Sequence, residues 1–573
     1  MKLDPGAKIA GVLAPLFAIR GENDLGVGDT SALKEVVSWA AELGLGFVQM
    51  LPVNETGSDH SPYNAVSSVA IEPSTISLHP DHLPEVSRES HEFALAKAES
   101  WLAGPVCYAE GKALKMSLLA DAFKVFLKLP AGSSRRRELR KFCQDESEWL
   151  EAYGFYKSLQ DHLQLNEVFE FWPEEVRSLT SASSWLEGQP PAVRRWFANR
   201  RQFYCYIQFV AHGQWRAVRQ EAARHGVALV GDVPVGVSRF SCDVWAEPHL
   251  FDLTRSSGAP PEKVFQADPF TEQWGQNWGF PLYDWFAMSK DNFRWWRRRL
   301  QSMRGIFDFI RVDHALGFFR IYSFPWRPER NAEFTGISPE AASAKTGGPL
   351  PGFMERDDST PENREKNRRH GLTLFRILAE ETGPHFLLAE DLGEVPPYVR
   401  PVLAELEIPG FKIPQWETEP DGSFTAGKDY PRLSISTYAT HDHPPLRSQW
   451  EELCQRAPTS EAGRQELRHW CRFAGLKDDP LPTAWSAEVH AALMSALFQS
   501  NSWLVAYSIN DLFATTDRFN VPGSVGGANW TARLAEPVKV WNRKWQLEIG
   551  LIRSTIENSR SDSGPARTTP SIP

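Results

Sequence analysis

Eight short apolar runs, separated by amphipathic stretches with helical spacing, predict an α/β chain closed into a (β/α)8 (TIM) barrel. Two further observations point the same way. Several of the runs end in charged residues, as strands do when they deliver side chains to the carboxyl-terminal face of a barrel, where active sites are built. No Gly-rich phosphate fingerprint follows any run, which weakens the competing open, doubly wound sheet carrying a nucleotide. At 573 residues the chain exceeds a bare barrel by about twofold. Inserted, largely helical subdomains are therefore expected.

The elements follow in order. Residues 9–16 (IAGVLAPL) read as a first strand buried on both faces. The stretch 9–19 is too short to span a bilayer, has Asp4 and Pro5 in its flank, and precedes no small-residue cleavage site, so it is not read as an export signal. In residues 31–43, Leu33, Val36, Val37, Ala40 and Ala41 recur at helical spacing, with Asp29 or Thr30 as the cap. Residues 47–53 (FVQMLPV) form the second strand, followed by a polar loop containing Ser61-Pro62-Tyr63. Residues 85–200 break the rhythm with charged, helical patterns and are expected to be a helical insertion. A helix over 202–224 returns to a third strand at 227–235 (VALVGDVPV), which ends near Asp232.

Residues 236–285 are rich in aromatics, Gly and Pro, and loops this long in a compact enzyme are usually functional. A basic helix at 293–303 leads into the fourth run, 307–314 (FDFIRVDH). After a helix at 367–382 come 385–392 (HFLLAEDL), a weaker sixth run at 410–416, a seventh at 433–442 (LSISTYATHD) and an eighth at 503–512 (WLVAYSINDL). Residues 1–556 are thus expected to be a single catalytic barrel domain, with 557–573 a disordered polar tail.

Composition narrows the function classes. A net charge of −10 argues against nucleic acid or an anionic membrane as a partner, since both require a basic footprint. The six cysteines show no CxxC and no metal-ligand spacing, which predicts reduced thiols and a cytoplasmic protein. The 22 tryptophans raise a carbohydrate hypothesis, because indole rings stack on the CH faces of sugars and suit pockets with one wet end.

Three runs end in acids: Asp313 on the fourth, Glu390 or Asp391 on the fifth, and Asp442 on the seventh. In a barrel these ends converge on one mouth. Cleaving a glycosidic bond needs one carboxylate as nucleophile and one protonated carboxyl for the leaving oxygen. At a separation of about 5–5.5 Å the reaction retains configuration through a covalent sugar–enzyme intermediate. Arg311 two residues before Asp313, and His441 beside Asp442, strengthen the conjunction.

RVDHALGF, LLAEDLGEVPPYV, ATHD, GDVPVGV, DVWAEPHLF, GQNWGFPLYDW and the SPY loop, which occur along the chain in the family's order, resemble 4-α-glucanotransferases of the amylomaltase (disproportionating enzyme) family. The resemblance runs from about residue 10 to 535. It implies a (β/α)8 barrel related to the α-amylases, and transfer of α-1,4-glucan segments to a glucan or glucose acceptor, with no metal or organic cofactor. It makes Asp313 the nucleophile, Glu390 rather than Asp391 the general acid/base, and Asp442 the third carboxylate that grips the reacting sugar. It implies that Arg311 orients Asp313, that Asp232 supports Arg311, and that His441 donates to a sugar hydroxyl. Tyr63 is expected to line the reacting subsite, Gln276 and Trp278 to belong to a substrate loop, and Asn520 to stand on the acceptor side.

Three positions depart from the common family pattern: Ala315-Leu316 after Asp313-His314, His443-Pro444-Pro445 after Asp442, and Phe240 where an acid is usual. These changes spare the acids and bear on acceptor choice and loop shape. The expected partners are α-1,4-glucans and malto-oligosaccharides. Two rivals remain at this level: an α-1,4-glucan hydrolase using the same site, and a glucan-binding protein without turnover.

Overall fold

The computed structural model describes residues 5–262, 268–383, 386–522 and 528–562. Its centre is a closed barrel of eight parallel strands: β1 (Ile9–Leu13), β2 (Phe47–Gln49), β3 (Ala228–Val233), β4 (Phe309–Val312), β5 (Leu387–Ala389), β6 (Gly410–Lys412), β7 (Ser434–Ser436) and β8 (Leu504–Ser508). Each strand pairs with its neighbours in sequence, and β8 closes on β1 with Ile9 opposite Leu504. The eight expected runs are these strands, in the same order. Each strand is shorter than its run. β3 stops at Val233 because Pro234 has no N–H to give the ladder. The eighth run divides into β8 and a short helix, Ile509–Leu512. His385 of the fifth run lies outside the described residues.

Alternation along the strands sorts the side chains. Phe47, Val230, Phe309, Leu388, Phe411, Ile435 and Leu504 form one apolar cluster inside the barrel. Intervening residues such as Val48, Leu229, Ile310 and Leu387 belong to the larger core under the surrounding helices. Two glycines permit close packing, one on each side of the barrel wall. A Cβ on Gly11 would lie 2.3 Å from the Phe47 ring, and one on Gly231 would lie 2.3 Å from the Phe307 ring. No substitution fits there without displacing a buried ring.

The helix Thr30–Leu43 starts where Asp29 accepts from the N–H groups of Ser31 (2.9 Å) and Ala32 (3.2 Å). It ends at Gly44, whose φ of 81° is the left-handed conformation that terminates helices. Between β2 and β3 stand the helices Arg88–Leu102, Tyr108–Leu127, Ser134–Asp145, Ser147–Leu163 and Leu179–Glu187. The returning helix is Pro191–Arg224, 34 residues in one piece, so it begins well before residue 202 and crosses the expected boundary at 200. Proline at its first turn needs no intrahelical partner for its missing N–H.

The stretch 236–285 is more ordered than a loop. Ser256–Ala259 and Gln276–Asn277 join Ile321–Phe324 and Gly352–Met354 in a four-stranded antiparallel sheet. That sheet ties the segment after β3 to the segment after β4. The last helix, Gln546–Asp562, runs past residue 556, where the tail was expected to begin. Residues 563–573 lie outside the described residues. Among the described residues no helix is long and apolar enough to cross a membrane.

Candidate active site

The inward face of each strand continues from the apolar cluster into the mouth. On β4 the alternation places Phe309 inside, then Arg311, then Asp313 on the same face. On β3 it runs Ala228, Val230, Asp232, and on β5 Leu388 precedes Glu390. Asp232 is paired in register with Arg311, and Arg311 with Leu388. Three adjacent strands therefore deliver Asp232, Arg311, Asp313 and Glu390 to one end.

Arg311 is the hub. Its Nη1 donates to Asp232 Oδ1 (2.8 Å) and Oδ2 (2.6 Å) and to Asp313 Oδ1 (2.9 Å), while Nη2 lies 4.0 Å from Glu390 Oε2. Exposure rises from the hub outward: the Arg311 side chain is 4% exposed, Glu390 13% and Asp313 20%. The guanidinium is sealed under carboxylates that reach the cleft. Burial raises the Glu390 carboxyl well above its ordinary value; Arg311 opposes this and the negative Asp313 adds to it. Burial likewise raises Asp232, against the pull of Arg311.

Asp391 takes the other face. It accepts from the Phe411 N–H (2.6 Å) and from Arg400 Nε (3.1 Å), so it pins β5 to β6. The two acids thus differ in orientation: Glu390 points with Leu388 into the barrel, and Asp391 does not.

A second set adjoins the first. Tyr63 Oη donates to Asp232 Oδ2 (2.7 Å), and its ring stacks on His441 with centroids 4.8 Å apart. Burial holds the Tyr63 phenol well above its ordinary value, so it stays neutral and donates. His441 Nε2 lies 3.3 Å from Asp442 Oδ2, and Asn520 Nδ2 donates to Asp442 Oδ1 (2.6 Å). The Thr440 N–H donates to His443 Nδ1 (3.2 Å) and holds the turn after β7 that carries His441 and Asp442. Trp278 Nε1 donates to Gln276 Oε1 (3.2 Å), and the Trp278 ring meets His314 edge-on at 4.9 Å. All ten sequence-predicted residues therefore fall in one connected constellation at one end of the barrel.

Three participants escaped the sequence reading. The His314 N–H donates to Glu390 Oε2 (2.7 Å). His314 adopts a left-handed backbone with φ of 42°, unfavourable by about 1–2 kcal/mol for a residue with a Cβ. Burial lowers its imidazole to about 4. Arg518 donates from Nη2 to the Asp442 carbonyl (2.6 Å) and from Nε to the Asn520 carbonyl (2.7 Å). Trp530 lies against Tyr63 and His441, with centroids 6.0 and 5.8 Å away. His314 could have been found from its place beside Asp313; Arg518 and Trp530 carry no local signal. Among the described residues no group of His, Cys, Asp or Glu is arranged to hold a metal ion.

Chemically, the arrangement offers an oriented carboxylate, a second carboxyl biased toward its protonated form, and a third acid in a mesh of hydrogen-bond donors. Known proteins resemble the chain over nearly its whole length. A 4-alpha-glucanotransferase of Chlamydia pneumoniae is 29% identical over 545 residues, covering 91% of both chains. The amylomaltase of Streptococcus agalactiae, solved with acarbose, superposes with a TM-score of 0.73 at 22% identity, over 96% of this chain and 99% of that one. The amylomaltase of Corynebacterium glutamicum superposes with a TM-score of 0.75 at 20% identity, over 96% of this chain and 75% of that one. The family model described as glycoside hydrolase 77, 4-alpha-glucanotransferase, matches residues 14–539. With most of its length inside that match, the chain belongs to the glycoside hydrolase 77 family of 4-alpha-glucanotransferases.

Proposed function

We propose that this chain moves α-1,4-glucan segments from a donor to a glucan or glucose acceptor by retaining double displacement. Asp313 attacks the anomeric carbon while protonated Glu390 gives its proton to the leaving glucan oxygen. The covalent glycosyl–Asp313 ester is then opened by the 4-hydroxyl of an incoming sugar, and Glu390 takes that proton back. The observation that carries this reading is the Arg311 hub: one guanidinium touches Asp313 and stands 4.0 Å from Glu390. It orients Asp313 by a charge-assisted bond of 2.9 Å. The His314 N–H occupies Glu390 Oε2, which favours the proton on Oε1, the oxygen left to face the substrate.

Asp442, held by Asn520, grips hydroxyls of the sugar whose bond breaks, and His441 donates to another. Tyr63, stacked on His441 beside Trp530, lines that subsite. Asp232 keeps Arg311 in place. Gln276 and Trp278 bind substrate from the sheet over the mouth. Malto-oligosaccharides are the expected ligands. The six free cysteines support a reducing, cytoplasmic setting.

Incubation with maltotriose tests the proposal. Transfer yields glucose and longer chains at a constant number of reducing ends. A rise in reducing ends indicates hydrolysis, and no change in products indicates a binding protein without turnover; either result overturns the reading.

A further inference from the structure

None of the six cysteines belongs to the catalytic constellation, and two of them face each other across a helix pair. Cys143 lies near the end of the helix Ser134–Asp145, and Cys205 lies in the long helix Pro191–Arg224. Helical spacing explains why they meet. Leu139, Phe142 and Cys143 stand at i, i+3 and i+4 on one helix, and Cys205, Phe209 and His212 at i, i+4 and i+7 on the other, so each set shares a face. Phe142 packs on Phe209 and His212 with ring centroids 5.9 and 5.4 Å apart, and Arg135 lies over the Phe209 ring at 4.6 Å. Beside these contacts the Cys143 and Cys205 thiols are hydrogen-bonded to each other.

The other cysteines are placed differently. Cys107 and Cys454 donate to the carbonyls of Pro105 (3.7 Å) and Pro482 (3.6 Å), and Cys242, Cys454 and Cys471 are buried. Cys143 and Cys205 are each half-buried, so a small oxidant can reach them.

The thiol–thiol bond divides the labour. The Cys205 S–H donates to the Cys143 sulfur, which favours the thiolate there and sets the Cys143 thiol below its ordinary value, against burial and the negative Glu151. The same bond raises Cys205, the donor; burial and Glu151 add to this, and Arg201 opposes it. Burial raises Cys107, Cys242, Cys454 and Cys471. Cys143 is therefore the one cysteine of the six biased toward its nucleophilic form, and a second thiol stands against it.

We propose that Cys143 and Cys205 form a two-thiol redox site that reacts with hydrogen peroxide and closes a reversible disulfide between the two helices. The Cys143 thiolate attacks one peroxide oxygen; the S–O bond forms, the O–O bond breaks, and the departing hydroxide takes up a proton and leaves as water. The Cys205 sulfur then attacks the sulfenic sulfur of Cys143; the S–S bond forms, the S–O bond breaks, and the hydroxide leaves with the Cys205 proton as a second water. Two thiols are oxidised to one disulfide, and one peroxide is reduced to two waters. In a reducing compartment such a bond is transient and is reopened by thiol exchange.

The closed loop contains no residue of the catalytic constellation. It encloses the helix Ser147–Leu163, whose Tyr153 and Lys157 donate to the buried Glu55 carboxylate (2.5 and 3.0 Å) on the segment between β2 and Tyr63. The disulfide thus ties together the scaffold behind the Tyr63 loop and leaves the acids untouched. The inference is independent of the glucan reading.

The test uses the full chain, reduced, desalted and then treated with hydrogen peroxide at neutral pH. Thiols are counted under denaturing conditions before and after. The count should fall from six by the two of the pair, and dithiothreitol should restore it. Alkylation, proteolysis and mass spectrometry should place the cross-link between Cys143 and Cys205. Cys143→Ser should slow the loss of thiols at least about tenfold. Cys205→Ser should keep the fast first step and accumulate a sulfenic acid that dimedone traps. The parent measurement needs no variant, so a serine protein that misfolds leaves it decisive. All thiols surviving peroxide, a cross-link between other cysteines, or a dimer joined between chains overturns the proposal.

Discussion

Replacing Arg311 by methionine removes the cation that Asp232, Asp313 and Glu390 share, and the structure sets the size of the effect. Arg311 contacts Asp232 at 2.6 and 2.8 Å and Asp313 at 2.9 Å from a position 3% exposed to solvent. Deleting one partner of a buried ion pair typically costs about 3–5 kcal/mol, because the other charge is left unpaired. Methionine fills similar space, so little of the loss comes from a cavity. The deficit must depend on pH. Burial already raises Asp232 and Glu390, and Arg311 opposes that in both. Without it both folded values climb further. A group whose folded pKa is raised loses stability as pH increases from its unfolded value through its folded one. The variant's deficit should therefore grow from pH 5 toward pH 8, by at most about 1.4 kcal/mol per pH unit for each acid concerned.

Urea unfolding at pH 5, 6, 7 and 8 measures this, and glucose release from maltotriose measures turnover. A loss of about 3–5 kcal/mol in transition-state stabilisation is about 10²–10⁴-fold in rate. Arg311→Lys should recover part of the stability and little of the activity, since a point charge cannot reproduce the planar fork. An Arg311→Met protein within about 1 kcal/mol of the parent at every pH, with turnover within tenfold, would refute the reasoning.

Two further outcomes are expected. Relative to Glu390→Gln, the parent should lose stability as pH rises above the ordinary carboxylate value, with a slope approaching about 1.4 kcal/mol per unit, because its folded state retains a proton that the unfolded chain releases; urea unfolding of the pair across pH 4–8 checks this, and a flat difference contradicts it. Asp29→Ala should cost about 3–5 kcal/mol, more than a helix cap alone, because Asp29 Oδ2 also lies 3.5 Å from the buried Lys115 ammonium. Asp29→Asn, which keeps the cap and loses the charge, should show most of that loss; a value within about 1 kcal/mol of the parent would assign Asp29 to capping only.

Much of the barrel was legible because its strands are buried on both faces, and such strands announce themselves as apolar runs. The acids were legible for a related reason: Asp313 and Asp442 interrupt the pattern at the point where a strand meets solvent. The four-stranded sheet over the mouth was not. Its strands are two to four residues long, and Ser256–Ala259 pairs with Ile321–Phe324, far along the chain. No periodicity develops over so few residues, and pairing across such separations leaves no local mark. The start of Pro191–Arg224 was hidden by Pro190-Pro191, which reads as a turn although a proline suits the first turn of a helix. Arg518 and Asn520 find Asp442 only because the segment after β8 folds back across the mouth.

The seam between β1 and β8 has a consequence for how the protein is made. Ile9 finds its partner Leu504 only after about 500 further residues have left the ribosome. At bacterial or eukaryotic elongation rates of about 5–20 residues per second, that is a wait of roughly 25–100 s. Throughout that interval the nascent chain presents β1 with one unpaired edge and an unfinished cylinder of apolar strands. Newly synthesised chains should therefore depend on holdase-type assistance far more than refolding chains, whose two ends are present from the start.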